Sequence, residues 1–288
     1  MNTVRALILI TIGLLMAGCT ANGDAERYAR LVEEWQGREI VFPKGITDIF
    51  TGDSIYFSDV DFTILTYVDS IGCTGCKMKL PLWNEFLSQL ESVAEYNFAV
   101  IMVVHPSDIR DAKYLAKLNS YQYPIYVDTA DILNKKNGFP NDPMYQTFLL
   151  DKYHRVVSVG SPAYLSGIYS LYLSLLSGKR VISKTNNIVD VKENILDLGE
   201  VLIDSYWSKD VTFVNRGIDT VFIDRIIASC DCMELIFDEK YLVPNSDTKA
   251  ILNYRSDTIS EVIESSFQIF YKDIECPSVV QIKGTKIK

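Results

Sequence analysis

The chain is short of histidine, with two in 288 residues, His105 and His154. That excludes a histidine-rich metal cluster and leaves no convincing Ser-His-Asp set, because those sites need several imidazoles or one tied to a nucleophile. No block of lysine or arginine interrupts a formal net charge of −9, so nucleic acid is excluded as the expected partner. Walker-type and dinucleotide-type glycine loops are absent, and no bound organic cofactor is expected. Nor is there an apolar run of the roughly 20 residues a spanning helix needs. The uncharged stretch Ala6 to Gly18 follows a single positive charge at Arg5 and reads as a secretion signal.

What is present is cysteine. Six in an exported chain would face an oxidising compartment. The pair Cys73 and Cys76 lies in Gly72-Cys73-Thr74-Gly75-Cys76-Lys77-Met78-Lys79-Leu80-Pro81, after the strand-like run Phe62 to Val68 and at the opening of a helical pattern. Strand, then C-x-x-C, then helix is the context of thiol–disulfide chemistry. A helix start offers unbonded amide N–H groups and the positive end of the dipole, both of which favour a thiolate at Cys73. Lys77 and Lys79 are expected to add positive charge, and Cys76 would resolve the mixed disulfide. The residues also allow an inert structural bridge or metal capture.

This stretch resembles the active-site helix of the thioredoxin-like superfamily, especially its secreted, membrane-tethered bacterial members. Lys77 and Pro81 match that helix. Gly72 stands in place of the usual tryptophan, Thr74-Gly75 in place of Gly-Pro, and Tyr67 where thioredoxins carry a buried carboxylate. The resemblance implies Cys73 and Cys76 as catalytic residues, acting on exported protein thiols or disulfides with an unidentified electron donor. Gln146, just before Thr147 to Asp151, occupies the position of that family's cis-proline. Leu15-Met16-Ala17-Gly18-Cys19 resembles a bacterial lipobox, which implies lipidation of Cys19 and attachment to a membrane. With Thr20 in place of an inner-membrane retention aspartate, the expected location is the outer membrane, facing the periplasm.

Length and apolar content predict two cores. Residues 1–18 form the signal and 19–36 a lipidated tether with an N-terminal helix, in which Tyr28, Leu31, Val32 and Trp35 keep helical spacing. Residues 37–178 read as the thioredoxin-like α/β domain. Its strands are expected at Phe62–Val68, Asn97–Val104 and Ile125–Asp128, with a hairpin at Thr147–Asp151 and Arg155–Gly160. Its helices are expected from about Thr74 to Ala94, from Ser107, and from Ala163 to Gly178. Trp83 and the tyrosines Tyr164, Tyr169 and Tyr172 are expected to pack in the core. Residues 179–192 read as a linker.

From 193 to 288 short strand-like runs recur with no helix between them, which predicts a β-sandwich. Phe213-Val214-Asn215-Arg216-Gly217, Ser229-Cys230-Asp231-Cys232, Pro244-Asn245-Ser246 and Ile282-Lys283-Gly284 resemble an Ig-like bacterial domain family of unknown function. Cys230, Cys232 and Cys276 form a possible secondary thiol site. In an extended strand direct pairing of the first two would be strained by their separation; in a turn they could bridge, hold a soft ion such as Cu(I), or one could pair with Cys276. Two thiolates are too few for a tetrahedral zinc site. The leading expectation is thiol–disulfide exchange, and the alternative is a non-enzymatic envelope adaptor.

Overall fold

A computed structural model describes residues 22–57, 59–71, 74–106, 109–178, 188–256 and 262–287. The signal, Cys19, Cys73, the Ser107 helix cap and most of the linker lie outside the described residues.

Helix α1 (Asn22–Trp35) lays Tyr28, Leu31 and Val32 half-buried on the protein and ends in Trp35, which is buried. The Trp35 ring sits 4.8 Å from Phe148 and 6.0 Å from Phe139. A short edge strand β1 (Thr47–Asp48) follows, then β2 (Phe62–Val68). The single helix expected from Thr74 is two: α2 (Thr74–Met78) and α3 (Leu80–Val93), separated by Lys79 in the left-handed region at φ 46°. Pro81 explains the break. It has no N–H to give the carbonyl of Lys77, and its ring would collide with that carbonyl, whereas near the start of a new helix it is tolerated. The carbonyl of Lys79 then accepts from the N–H groups of Leu82 and Trp83.

The chain continues through β3 (Phe98–Val104), α4 (Ile109–Leu118), β4 (Ile125–Val127), α5 (Ile132–Asn137), β5 (Thr147–Asp151), β6 (Val156–Val159) and α6 (Ser166–Leu176). The sheet order is β1-β4-β3-β2-β5-β6, with β2, β3 and β4 parallel and β5 and β6 antiparallel. Its two faces divide the alternating residues of each strand. Ile64, Val68, Val100 and Met102 join Trp83, Phe86, Tyr169 and Tyr172 in one core, while Leu65, Tyr67, Ile101 and Val103 join Trp35 and Phe148 in the other. The order of strands and helices is the one the sequence predicts for this unit, with α5 added before the hairpin. The turn at Lys152-Tyr153-His154 puts His154 at φ 60°.

The second unit is all-β. Strand β7 (Val189–Val191) lies within the stretch read as linker, and β8 (Ile195–Leu202) follows it. Then come β9 (Tyr206–Asn215), β10 (Val221–Ala228), β11 (Met233–Phe237), β12 (Tyr241–Leu242), β13 (Asp247–Arg255), β14 (Val262–Tyr271) and β15 (Ile274–Ile287). They form a five-stranded sheet, β12-β10-β14-β15-β8, and a four-stranded sheet, β11-β13-β9-β7. Leu196, Ile263, Phe267, Ile269 and Val280 of the first share a core with Val211, Phe213 and Leu252 of the second.

The outer side of the five-stranded sheet rests on the α/β unit. Along β14, Ile263, Phe267 and Ile269 face the all-β core. Glu264, Ser266, Gln268 and Phe270 alternate toward the other unit: Gln268 Nε2 donates to the Pro162 carbonyl at 2.9 Å, and the Phe270 ring lies 6.3 Å from Tyr169. Across the same junction Arg225 on β10 pairs with Glu85 on α3.

Candidate active site

Strand β2 delivers the chain to Asp69, whose Oδ1 accepts the N–H of Ile71 at 2.8 Å and so shapes the turn into the cysteine motif. Cys73 lies outside the described residues. Cys76 sits in α2, half-buried, with its sulfur in a disulfide. The helix that carries it has five residues, so the dipole available at its start is that of a single turn and not of the long helix expected.

The two lysines were expected to surround the motif with positive charge. Lys77 does not: its Nζ lies 2.6 Å from Asp69 Oδ1 and 3.3 Å from Glu264 Oε2, with a side chain only 5% exposed. The first contact is a hydrogen-bonded ion pair; the second, without hydrogen-bond geometry, is an ion pair only. Two carboxylates therefore neutralise its field. Lys79 turns the other way. It is fully buried beneath β14, its Nζ is 2.9 Å from Ser266 Oγ, and it lies 4.2 Å above the Tyr164 ring. Burial pushes its ammonium down to about 7, against the opposing pull of Glu264.

Asp69 is the residue the sequence reading passed over. Tyr67, at the position where the resemblance implies a carboxylate, donates its hydroxyl to Asp131, and burial first, then that bond, pushes its ionisation up. Asp69, two residues later, is buried at the motif. Gln146 Nε2 donates to its Oδ2 at 3.3 Å and to the Pro140 carbonyl at 2.9 Å. The glutamine at the cis-proline position is thus a ligand of the motif's carboxylate, and among the described residues no peptide is cis. An aspartate directly after the strand, with a lysine directly after the second cysteine, was the available signal. Nothing local could have supplied Glu264.

Cys230 and Cys232 lie in the turn between β10 and β11 and are joined by a disulfide, with a Cα–Cα distance of 5.3 Å. The turn is what permits this: in an extended strand the two would share a face but stand about 6.8 Å apart, at the far limit of disulfide reach. Cys276 on β15 remains a thiol, with Sγ 2.6 Å from Ser170 Oγ of α6, so it is not the partner of either. His105 Nδ1 contacts the Asp128 carbonyl at 2.8 Å, and His154 packs against Phe57 at 4.3 Å and Phe42 at 5.2 Å. Trp83, Tyr164, Tyr169 and Tyr172 are all buried, as their spacing required. Among the described residues no group of three or more potential ligands gathers as a metal site.

Beside the Glu264 contact, a cavity of about 10 Å³ lies between the units, lined by Asp142, Pro143, Tyr164 and Gln281. That is room for one water. Tyr164 Oη and Gln281 Oε1 at its wall have no protein partner among the described residues. Chemically, the arrangement is a disulfide sulfur on a short helix, with the adjoining charges locked and one flank closed by the all-β unit.

No curated protein matches this sequence. Similar solved structures include the peroxidoxin BcpB from Mycobacterium tuberculosis, at 16% identity and TM-score 0.40, covering 51% of this chain and 99% of that one. Another is the thioredoxin domain of a thiol-disulfide oxidoreductase from Bacteroides vulgatus, at 12% identity and TM-score 0.38, covering 49% and 97%. A protein of unknown function from Porphyromonas gingivalis W83 is similar at 11% identity and TM-score 0.30, over 34% of this chain and 46% of that one, which is less than half its length. The family described as a protein of unknown function (DUF1573) matches residues 189–286, which takes in β7 through almost all of β15.

Proposed function

We propose that the chain is a thiol–disulfide exchange protein of the cell envelope, working through Cys73 and Cys76. The observation that carries this reading is the Cys76 sulfur, half-exposed and in a disulfide, on the helix that follows the central parallel strand. In the reducing direction, the Cys73 thiolate attacks one sulfur of a substrate disulfide and expels the other as a thiolate. Cys76 then attacks the mixed disulfide, releasing the second substrate thiol and closing the Cys73–Cys76 bond. Two electrons pass to the substrate, and a membrane-borne thiol or quinol donor has to restore them. The substrates are exported protein disulfides. Cys19 would carry the lipid that holds the chain to the outer membrane, facing the periplasm, and the all-β unit would be an Ig-like sandwich. A Cys76→Ser protein should accumulate covalent partners through Cys73, and Cys73→Ser should abolish reduction of insulin. If no adduct forms and wild type leaves insulin intact, exchange at Cys73 and Cys76 is excluded.

One observation favours a second reading, an envelope adaptor with a structural bridge: β14 closes over α2, burying Lys79 completely. Protein partners bound without covalent adducts in the same Cys76→Ser experiment would select it.

A further inference from the structure

The Cys230–Cys232 disulfide has little to do as a staple. It closes a ring over one intervening residue, and so restrains the unfolded chain less than any longer loop would. Its turn is already held without it. The Ser229 N–H donates to the Ser266 carbonyl at 3.0 Å, and the Ser266 N–H returns to Ser229 Oγ at 3.1 Å. The Arg255 N–H donates to the Cys232 carbonyl at 2.7 Å. Ladders run from Ala228 to Phe267 on one side and from Met233 to Tyr254 on the other.

The bond is also open to attack. Both cysteines are half-exposed, and Asp231 between them is exposed. Below them lies Ser265, 3% exposed, with its hydroxyl 3.9 Å from Cys230 Sγ. That sulfur is the only hydrogen-bond partner of the hydroxyl among the described residues. A buried hydroxyl held against one sulfur of an accessible disulfide is placed to stabilise negative charge as that sulfur departs.

We infer that Cys230–Cys232 is a second thiol–disulfide exchange site, independent of the C-x-x-C pair, which oxidises dithiols. One thiolate of the dithiol attacks Cys232 Sγ. The Cys230–Cys232 bond breaks, and Cys230 leaves as a thiolate that accepts a hydrogen bond from Ser265 and then a proton. The second thiolate of the substrate attacks the mixed disulfide and frees Cys232. The substrate becomes a disulfide, and both its electrons reside on the Cys230 and Cys232 thiols. This site goes beyond the exchange proposed for Cys73 and Cys76 and does not rest on it.

The test uses the full-length protein carrying Cys73→Ser and Cys76→Ser, so that the first site is silent. It is titrated with dithiothreitol under native conditions, alkylated, and mapped by peptide mass. Cys230 and Cys232 should become alkylated together while the circular dichroism spectrum stays native, and oxidised dithiothreitol should close them again. Adding Ser265→Ala should slow opening at least fivefold with the spectrum unchanged. A bond that resists dithiothreitol until urea unfolds the chain overturns the inference, as does opening at an unaltered rate in the Ser265→Ala protein. The Cys76→Ser trapping experiment can fail without touching this result.

Discussion

Replacing Lys79 by methionine should make this protein more stable, and by an amount that depends on pH. Lys79 is fully buried between the two units, and its ammonium has moved from 10.5 to about 7, chiefly through loss of water. At roughly 1.4 kcal/mol per unit, a charged Lys79 costs the folded state about 5 kcal/mol relative to an exposed one. The direction follows from proton counting. Above about 7 the folded chain has released this proton, while the unfolded chain keeps it up to about 10.5. The unfolded state therefore binds more protons across that window, and stability rises with pH. Below 7 both states hold the proton and the whole cost is felt. Methionine removes the charge and keeps the stem. It also keeps the left-handed backbone at φ 46°, so any strain there cancels in the comparison. The hydrogen bond to Ser266 and the contact over Tyr164 are lost, at about 1–2 kcal/mol together. The net gain should be about 2–4 kcal/mol at pH 6 and should shrink by roughly half or more by pH 9. Urea unfolding of both proteins at pH 6, 7.5 and 9, followed by tryptophan fluorescence, reads it directly. A less stable variant at pH 6, or a difference that does not vary with pH, would refute the reasoning.

Asp69→Asn should cost about 3 kcal/mol, since it leaves Lys77, 5% exposed, with only the 3.3 Å contact to Glu264. Glu264→Gln should cost less, because its side chain is 22% exposed; thermal unfolding ranks the two, and the reverse order would contradict the geometry. Gly160→Ala should lower stability by about 2 kcal/mol or more: its φ is +125°, and an added Cβ would lie 2.9 Å from Ile168 Cγ1. A melting temperature unchanged from wild type would rule that out.

The sequence made the α/β unit legible because each long element carries its own period. Phe98–Val104 is a continuous apolar run and Phe62–Val68 is broken only by Thr63 and Thr66, and the structure buries nearly all of both. Helix α5 was missed because Ile132-Leu133-Asn134-Lys135-Lys136-Asn137 offers too little apolar surface in six residues to show a period; Leu133 is its one buried hydrophobic residue. Strand β8 was missed for a related reason. Asp197, Gly199 and Glu200 break up its apolar positions, and the ladder shifts register at Gly199 (φ 63°). At the candidate site the cysteines were legible from spacing, but their charged surroundings were not. The partner that completes the Lys77 ion pairs comes from Glu264 on a strand of the other unit, and no local pattern announces it. The pairing of Cys230 with Cys232 depended on a turn, and spacing alone left it undecided.

Because adjacent residues of β14 answer to separate interiors, this ten-residue segment has no outside. Inserting or deleting one residue between 262 and 271 would exchange the two sets wholesale, forcing Glu264 and Gln268 among aliphatic neighbours and evicting Phe267 and Ile269 from theirs. Separating the halves by truncation would strip one of its roof and leave the other with a sticky flank where Phe270 now sits. The two modules are bound to drift together, and a truncation series should yield either the whole protein or aggregates.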